Sequence, residues 1–590
     1  MMMPDMEKKS KPHAEMAEDI ESPVSPADHL PQLSPDSDKT TTDGEKQPTY
    51  LTSWRLGTVI LSLCLGIFLF GLDTNIIGTA IPRITTEFNS LQDISWYGSA
   101  YLLTATAFQP IFGSLYKFFP AKIVYMISLV IFEAGSAMSA AAPSSAVLIL
   151  GRAILGLGAA GLLQGALAII GNVVELSKVP LYQGIVVGAL GISLCVGPVL
   201  GGAFTDHASW RWCFWINVPI GACVLVAVSV LVPLKQRSNE ANRALPLKEK
   251  LKNMDAVGTV LFLGAVCCIL LALVWGGEKY PWSDSKIIGL FVGAGLMTVC
   301  LCVNLWKRGE TAIIPLRVLR QRSIAMGALV LFGLGIFIQP YAYYLPVFFQ
   351  SAQGVSTTES GVRFIALLVP QIVTLVIVGG IVTKYGYYVP FMVVGLAIAC
   401  VGSGLMTTIS ISTPTVQWAA YLVICGIGSG MAQQLPYIAV QAALDPADVP
   451  TGNAIAVFTF QFASALGLAI GQNLFIAELR SAVPRHTLEV SPDQVVAVGA
   501  SGLSLLTQSP ETLHALRSAF SESLRPVFIL SLVGICIAFP PACAMERKNI
   551  KHVAAERERL QKAEKEQESS SRDSASQIEK EIVTVTEEKV

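Results

Sequence analysis

Three ionisable residues interrupt long apolar stretches of the sequence. Asp73 lies in FLFGLDTNIIG, Glu133 in SLVIFEAGSAM and Arg152 in LILGRAILG. A charged side chain is expensive to place where water is scarce, so a residue kept there is a candidate for function. Burial disfavours the charged form of a carboxyl group, which lets such a group exchange a proton near neutral pH. We therefore expect proton exchange at Asp73, tuned by Arg152, with Glu133 as a further coupling candidate.

A structural role is the alternative for each of these residues. Asp73 would then cap a helix break or bond a nearby hydroxyl or amide. Arg152 would tie two helices together, and Glu133 would be neutral and hydrogen-bonded between helices. The sequence alone leaves both interpretations open.

Neutral amides and aromatic side chains form a second candidate site in the C-terminal half. Amides beside aromatic faces suit a bulky, mostly apolar ligand with a few oxygen atoms, because they offer stacking and hydrogen bonds without requiring a charge. Taken singly, each such residue more often packs or bonds between helices. As a set they predict a site for a small amphipathic organic substrate. The members are Gln339, Tyr343, Gln371, Gln433, Gln434, Tyr437, Phe458 and Gln461.

Motifs for other chemistry are absent from the sequence. There is no GxxxxGK[ST], HExxH or GxSxG pattern, which argues against ATP hydrolysis and against zinc or serine hydrolases. The 12 cysteines include no CxxC pair and are interpreted as small buried hydrophobic residues. We expect no enzyme activity, no metal and no cofactor.

The composition is that of a membrane protein. Of 590 residues, 52% are hydrophobic and 14% are charged. Residues 1–50 hold 16 of the charged residues and residues 546–590 hold 21, which leaves 46 for the 495 residues between. This middle part is apolar enough to lie in a lipid bilayer. A net charge of -1 without a basic patch argues against a nucleic-acid partner.

Fourteen apolar segments are long enough to cross a bilayer, so we predict an all-α polytopic membrane protein. They lie near 55–80, 95–116, 123–142, 146–172, 181–204, 212–233, 256–275, 287–306, 323–349, 361–383, 389–408, 416–440, 452–478 and 526–545. Basic connectors separate them into groups of six, two and six. The predicted domains are a six-helix bundle at 51–233, connectors with an inserted helix pair at 234–322, and a second six-helix bundle at 323–545.

Lysine and arginine in the short loops predict the orientation, because these residues resist translocation. Both termini are expected in the cytoplasm, with a disordered tail at 1–50 and a charged tail at 546–590. Residues 479–525 then form a long non-cytoplasmic loop. Two pieces of that loop, SAVPRHTLEV and ETLHALRSAFSESLRP, are expected to be short amphipathic surface helices.

Small residues mark positions where helices can approach closely and move. We expect Gly191, Gly197, Gly201 and Gly202 to provide smooth helix contacts. Pro198 follows one of these glycines and weakens the helix ladder where a bend is expected. A turn with Gly113 and Lys117 has a counterpart with a small residue and a lysine in the second half, which suggests an internal repeat.

The sequence resembles the major facilitator superfamily, in particular the fungal form of the 14-span drug:proton antiporter group, over about residues 50–545. Its most specific match is GALGISLCVGPVLGGAFTDHASWRWCFWINVPIG at 188–221, which resembles the antiporter signature of span five and the stretch that follows it. LILGRAILGLGAAG resembles the span-four signature, whose arginine, implicated in proton transfer, falls on Arg152. GLDTNIIGTAIPRITTEF resembles the span-one signature, whose acidic residue falls on Asp73.

One signature departs from the family pattern. The loop between spans two and three keeps Gly113, but Lys117 stands at the position of an aspartate and Pro120 at that of a later glycine. The usual cytoplasmic gating charge pair is therefore not expected in its ordinary form.

The resemblance implies two six-helix bundles around a cavity that opens alternately to each side, plus two inserted helices. It also implies export of secondary metabolites, mycotoxins or drugs in exchange for protons, in the cell membrane or, alternatively, the vacuolar membrane. The bilayer is the expected environment, and no obligate protein partner is evident. The alternatives are a carrier for basic amino acids or siderophores, a non-transporting membrane sensor and, third, an intramembrane enzyme.

Overall fold

Helices account for nearly all of the described structure. The computed structural model describes residues 53–88, 90, 93–232, 245–277, 280–498, 503–560, 562–563 and 567. Within these residues, β-structure is limited to two isolated bridges, Gly276–Tyr280 and Tyr387–Asn549. Long apolar segments form helices because a helix satisfies its backbone polar groups internally where water is absent. The predicted tail at 1–50, the stretch 233–244 and most of the C-terminal tail beyond 560 lie outside the described residues.

The first group of helices corresponds to the first six predicted spans. Its members are α1 (Ser53–Phe88), α2 (Ile94–Ala107), α3 (Gln109–Phe118), α4 (Ala121–Ala140), α5 (Ser145–Val173), α6 (Val179–His207), α7 (Trp212–Trp215) and α8 (Asn217–Leu231). The main packing pairs are α4 with α5, α1 with α6 and α2 with α5. A Cβ added to Gly158 would lie 2.4 Å from the backbone N of Phe132, so α4 and α5 touch through their backbones.

The inserted helix pair follows a short basic helix. These elements are α9 (Leu247–Asn253), α10 (Ala256–Trp275) and α11 (Ser285–Arg308). Asp255 and Asp284 are the N-caps of α10 and α11, and each accepts a hydrogen bond from a backbone N–H of its own helix. After α11, a 3₁₀ turn at Gly309–Thr311 leads to α12 (Leu316–Arg320). We call residues 309–321 the connector.

The second group of helices forms the rest of the fold. Its members are α13 (Arg322–Ser351), α14 (Thr357–Tyr385), α15 (Val389–Met406), α16 (Thr415–Ala432), α17 (Leu435–Ala443), α18 (Val449–His486), α19 (Pro492–Val498), α20 (Leu503–Leu506) and α21 (Pro510–Cys543). Helix α13 packs on both α18 and α21, while α14 and α15 pack on α16. The glycine at 335 lets α13 and α18 approach, since a Cβ there would lie 2.6 Å from the carbonyl oxygen of Phe460.

The two groups meet along two seams, α6 with α14 and α3 with α18. The inserted pair does not stand apart, because α10 packs on both α2 and α18. Phe262 and Val266 of α10 belong to an apolar cluster that also includes Ala107 of α2 and the half-buried Phe458 of α18. The pair is thus in contact with both groups of helices.

The predicted count of 14 spans is not confirmed. Twelve helical stretches of the described residues are long and apolar enough to cross a membrane, or 13 if the bent α6 is counted as one. The segment predicted near 95–116 is divided at Phe108 between α2 and α3, which have 14 and 10 residues. Pro110 at the start of α3 explains the break, because proline lacks an N–H for a helix that would continue from α2.

The expectation of short, separate helices on the surface at 479–525 is wrong. SAVPRH is the last part of α18, and ETLHALRSAFSESLRP belongs to the first part of α21. These extensions are held together by their own apolar cluster, which contains Leu479, Val483, Val490, Leu516 and Phe520. We call this cluster the distal cap.

The opposite end of the helices carries most of the basic connecting segments. We call it the basic end; it holds the α3–α4 turn, the connector and the α17–α18 turn. A terminal helix, residues 550–560, lies here, and its Ile550 N–H donates to the carbonyl of Gly386 at 3.0 Å. Gly386 ends α14 in the left-handed conformation, with φ 84°. Arg557 donates to the carbonyl oxygens of Gln441 (3.1 Å) and Leu444 (2.7 Å), and so caps α17.

Candidate functional site

Asp73 and Arg152 form a buried ion pair inside the first group of helices. Nη1 of Arg152 donates to Oδ2 of Asp73, and the exposed fractions of the two side chains are 1% and 0%. Asp73 lies in the second half of α1 and Arg152 near the start of α5, so the pair lies nearer the end opposite the basic end. The structure thus brings together two of the three predicted coupling residues.

Arg152 has further partners that hold its side chain in place. Its Nε donates to the backbone carbonyl of Tyr97 at 2.8 Å. Its Cζ lies 4.6 Å from the ring centroid of Tyr101 and 5.9 Å from that of Phe214, so aromatic faces flank the guanidinium. A buried guanidinium requires this many partners to offset the loss of water. Residues from α1, α2 and α7 therefore fix the position of Arg152.

The second oxygen of Asp73 has only a weak partner. Nδ2 of Asn217 lies 3.5 Å from Oδ1 of Asp73, at the outer limit of hydrogen bonding. The same Nδ2 lies closer to Oγ of Ser136, at 3.0 Å, and Ser136 donates to the carbonyl of Phe214 at 2.8 Å. Arg152 is therefore the strong partner of Asp73, and a change in the protonation of Asp73 acts mainly on Arg152.

Glu133 lies on α4, in the same group of helices, and its carboxylate lies in a buried site. Both of its oxygens are buried and have no hydrogen-bond partner within the described part of the chain. The carboxylate lies against Gly221 of α8, where an added Cβ would be 1.7 Å from Oε1. A buried ionised carboxylate without a partner is costly. Glu133 is therefore placed as a carrier of an exchangeable proton would be.

Three of the predicted ligand-binding amides meet where α14, α16 and α17 converge on α6. Nε2 of Gln371 donates to Oε1 of Gln433 at 2.8 Å. Nε2 of Gln434 lies 3.1 Å from the carbonyl oxygen of Leu375 and 3.4 Å from that of Pro180, so this fully buried side chain bonds both groups of helices. This part of the predicted set lies at the boundary between the groups.

The other members of the set are not gathered there. They are the half-buried Gln339 and Gln461, the buried Tyr437, and Tyr343 and Phe458. Tyr343 is 55% exposed on α13. The ring of Phe458 packs against the inserted pair, with its centroid 4.7 Å from that of Phe262. In this conformation, the predicted set does not form a single pocket.

The sequence interpretation missed a further set of buried amides, which lie in α5 and in the seam helices α3, α6 and α18. Nε2 of Gln164 donates to the backbone carbonyl of Gln109 at 2.8 Å and also to its side-chain oxygen. Gln183 of α6 and Asn453 of α18 are buried, and neither amide has a partner for either of its polar atoms within the described residues. A single amide inside an apolar run, as in LYQGIV, was the available signal. Buried polar atoms without partners can be satisfied by a ligand or water.

Lys117 and Asp448 connect the two groups at the basic end. Nζ of Lys117 lies 3.3 Å from Oδ1 of Asp448, which precedes α18. One turn before Lys117, a Cβ on Gly113 would lie 2.4 Å from Cβ of Ala454. Helices α3 and α18 are therefore in close contact, and the basic end is closed along this seam. The cation is on α3 and the carboxylate is on the residue before α18. This is the reverse of the charge on α3 that the family pattern implies.

Two of the predicted glycines in α6 lie at helix contacts. A Cβ on Gly191 would lie 2.7 Å from Cδ1 of Ile372 in α14. A Cβ on Gly197 would lie 3.0 Å from Cβ of Asn75 in α1. Gly191 therefore lets α6 and α14 approach at the seam between the groups. Gly197 lets α6 and α1 approach inside the first group.

The remaining predicted positions lie in the second half of α6. This helix bends by 40° between its segments Val179–Leu194 and Val199–Thr205, next to Gly197. Gly201 is buried, whereas a Cβ on Gly202 would meet no atom within 4 Å. The side chain of Pro198 lies outside the described part of the structure.

A small cavity lies between α3, the connector and α18. Its volume is about 180 Å³, and its lining includes Gly113, Ile314, Ala454 and Phe458. Pockets for drug-sized ligands occupy roughly 300–1,000 Å³. This cavity is therefore too small for a bulky ligand while the basic end is closed.

Comparison with protein families and curated proteins gives a consistent match. The family model described as Major Facilitator Superfamily matches residues 63–468. The MFS-type efflux pump MFS1 of Trichophyton rubrum is 40% identical over 502 residues, covering 85% of this chain and 93% of the relative. The efflux pump aflT of Aspergillus parasiticus is 38% identical, covering 85% and 98%. The MFS-type transporter astH of Aspergillus oryzae is 38% identical, covering 88% and 91%.

Solved structures agree with this match at the level of fold. The proton:xylose symporter XylE bound to 6-bromo-6-deoxy-D-glucose has a TM-score of 0.53 and 14% identity, covering 85% of this chain and 99% of that one. The human organic anion transporter MFSD10 (TETRAN) has a TM-score of 0.50 and 13% identity, covering 82% and 100%. At these identities the likeness concerns the fold alone.

Proposed function

Because the chain belongs to the major facilitator superfamily of membrane transporters, we propose that it is a proton-coupled exporter of small amphipathic organic molecules. The observation that carries the proposal is the buried group of Asp73, Arg152 and Glu133 in one bundle of helices. Two of the relatives are named efflux pumps, which supports outward transport.

The charges of these three residues favour the exchange of a proton. With all three ionised, the two carboxylates and one guanidinium carry a formal charge of -1, and a single proton makes the group neutral. Uncompensated charge is expensive in a buried site, so one proton is expected to bind and leave easily. When it binds to Asp73, the ion pair to Arg152 is lost while the bond from Arg152 to the Tyr97 carbonyl remains. The contact between α5 and α1 is therefore weaker when Asp73 is protonated.

Transport then follows from a difference in affinity between two states. The state that is open away from the cytoplasm releases substrate and takes up a proton. The state that is open to the cytoplasm releases the proton and binds new substrate. In this proposal the basic end faces the cytoplasm, as the lysines and arginines there favour. The described conformation, closed along the α3–α18 seam, then belongs to the first state.

Amides on the seam support the choice of substrate class. Gln371, Gln433 and Gln434 lie where α6 meets the second group, and they offer hydrogen bonds without a charge. This chemistry suits secondary metabolites, mycotoxins or drugs that carry a few oxygen atoms. We place the protein in the cell membrane, with both termini in the cytoplasm and the vacuolar membrane as the alternative.

The test uses purified protein in liposomes with an imposed pH gradient. A panel of fluorescent drugs and fungal metabolites is scored for substrate movement, and a pH-sensitive dye reports proton flux. Asp73→Asn and Glu133→Gln should each abolish proton-driven substrate movement. Glu359→Gln is the matched control, because Glu359 is half-exposed and its ion pair within the described residues is with Arg363 of its own helix. Substrate flux that persists in both carboxyl variants and ignores an uncoupler would contradict proton coupling.

The panel also separates the alternative functions. Arginine, lysine and a ferric siderophore are included, and flux restricted to these would favour a carrier for basic amino acids or iron chelates. A protein that moves no member of the panel, yet is folded, would favour a membrane sensor.

A further inference from the structure

Asp255 joins three segments around the inserted helix pair. The residue is 2% exposed. It accepts hydrogen bonds from the backbone N of Gly258 (2.8 Å), from Nδ2 of Asn304 (2.6 Å) and from the backbone N of Ile313 (3.3 Å). Nε of Arg308 lies 3.4 Å from its Oδ1. One carboxylate therefore fixes the start of α10, the end of α11 and the connector to one another.

Apolar contacts hold the connector in the same place. Ala312 and Ile313 are 7% and 5% exposed, and they belong to the apolar cluster of the inserted pair. That cluster includes Leu305 of α11 and reaches Phe458 of α18. Ile314 lines the small cavity together with Gly113 of α3, so the connector lies across the seam between α3 and α18.

The connector also binds the carboxylate that closes this seam. Nη2 of Arg317 donates to Oδ2 of Asp448 at 2.5 Å, and Nε of Arg317 donates to Glu310 at 3.1 Å. The other oxygen of Asp448 faces Lys117 of α3. Asp448 is 5% exposed, and each of its two oxygens faces a different cation. The orientation of its carboxylate therefore determines both contacts. The four charges, two positive and two negative, balance.

Two further contacts tie the connector to the second group. Nε2 of Gln321 donates to the carbonyl of Ala443, the last residue of α17, at 2.6 Å. Helix α12 also packs on α13 and α18. The connector is thus held by the inserted pair at its start and by the second group at its end, and Arg317 lies between these attachments.

We propose that the inserted helix pair holds the basic end closed: Asp255 anchors the connector, and Arg317 positions Asp448 to bind Lys117. The proposal rests on the proposed function only in taking the basic end to open during transport. Arg317 is a positioning residue here, because it acts through Asp448 and, within the described residues, its ion pairs are with Asp448 and Glu310 and not with Asp73 or Glu133. The inserted pair then acts on the equilibrium between the two states rather than on binding.

Hydrogen–deuterium exchange measured by mass spectrometry on the full chain in lipid nanodiscs tests this role, since it needs no attached probe and no substrate. The informative peptides cover α3 and residues 449–458 of α18. Arg317→Gln should accelerate exchange there about fivefold, as expected for loss of a partly exposed ion pair of ordinary strength. Asp255→Asn should also accelerate it, because this change releases the connector from the inserted pair. Peptides of α15 and α16 should not change.

Asp284→Asn is the matched control. Asp284 caps the start of α11, at the end of that helix away from the connector, where it accepts a hydrogen bond from the backbone N of Lys286. It has no described contact with the connector. Exchange in α3 and α18 should stay at the wild-type rate in this variant. An equal acceleration in Asp284→Asn would mean that any loosening of the pair has this effect, and would overturn the proposal.

Two outcomes distinguish this proposal from a folding defect and from the proposed transport function. Arg317 is 53% exposed, so Arg317→Gln is expected to fold even if Asp255→Asn does not, and unchanged exchange in Arg317→Gln overturns the proposal. Faster exchange in Arg317→Gln, in a protein that moves no substrate, would support this inference and contradict the proposed function.

Discussion

The carboxylate of Glu133 occupies the space that a side chain at Gly221 would fill. A Cβ on Gly221 would lie 1.7 Å from Oε1 of Glu133 and 2.3 Å from its Cδ. Because Gly221 has no side chain, it leaves the room in which the Glu133 carboxylate lies, and this carboxylate has no hydrogen-bond partner among the described residues. A substitution at Gly221 therefore tests the role of Glu133 without changing Glu133 itself.

Gly221→Ala should displace the Glu133 carboxylate and reduce proton flux about tenfold. The free energy of unfolding should fall by no more than about 1 kcal/mol, because the atoms displaced are the far end of a flexible side chain. Gly289→Ala in α11 is the control, since a Cβ there meets no atom within 4 Å. Dye-reported proton flux and thermal unfolding provide the measurements. Normal proton flux in Gly221→Ala would mean that Glu133 does not take part in proton coupling.

The Asp73–Arg152 pair predicts an unequal effect of single and double substitutions. Arg152→Gln leaves a buried carboxylate without its strong partner, which is expected to lower the free energy of unfolding by about 3–5 kcal/mol. Asp73→Asn/Arg152→Gln removes both charges and should recover most of this loss. Neither variant should show proton-driven transport. Thermal unfolding in detergent checks the first statement, and a double variant no more stable than Arg152→Gln would contradict it.

The contact between Gly113 and Ala454 predicts a compensating pair. Gly113→Ala places two Cβ atoms 2.4 Å apart on two helices, so the closed α3–α18 seam should be destabilised by about 1–3 kcal/mol. Hydrogen exchange in α3 should accelerate accordingly. Ala454→Gly in the same chain removes the second methyl group and should restore the wild-type rate. If the double variant exchanges as fast as Gly113→Ala, the contact does not limit closure.

The contacts of Glu87 should contribute to the stability of the protein in a way that depends on pH. This residue lies at the end of α1, beyond the apolar span, and a hydrogen bond from the Trp210 indole (2.6 Å) lowers its pKa, with help from Arg211. Because the folded-state pKa is below the ordinary value of 4.5, the stabilisation is complete above that value and is lost as pH falls through the folded-state pKa. The melting temperature should therefore fall less for Glu87→Gln than for the wild type between pH 6 and about pH 3, because that window extends below the ordinary value. Parallel decreases in both proteins would contradict this contribution.

The candidate coupling residues could be found in the sequence, but their pairing could not. Asp73, Glu133 and Arg152 stand out because they are charged residues in apolar runs. Asp73 and Arg152 are 79 positions apart, and only the packing of α1 on α5 decides that their side chains meet. Asp448 gave no such signal, because a carboxylate in a polar turn is ordinary in any sequence.

Hydropathy predicted most of the membrane helices and failed in two places for physical reasons. Pro110 interrupts the second segment although its residues are apolar, because the helix ladder needs an N–H that proline lacks. The extensions of α18 and α21 were missed because hydropathy reports where a helix leaves an apolar environment. It does not report where the helix ends.

The distal cap gives this protein a helical surface to which a binding reagent could attach. Helix α18 has 38 residues, so at 1.5 Å per residue it is about 57 Å long, nearly twice the roughly 30 Å of a hydrocarbon core. Its far end is joined to the 34-residue α21 through the apolar contacts of Leu479 and Phe520. An antibody fragment bound to this cap would be attached to two continuous helices rather than to a loop. Such a fragment would serve as an alignment marker for electron cryomicroscopy of the full chain.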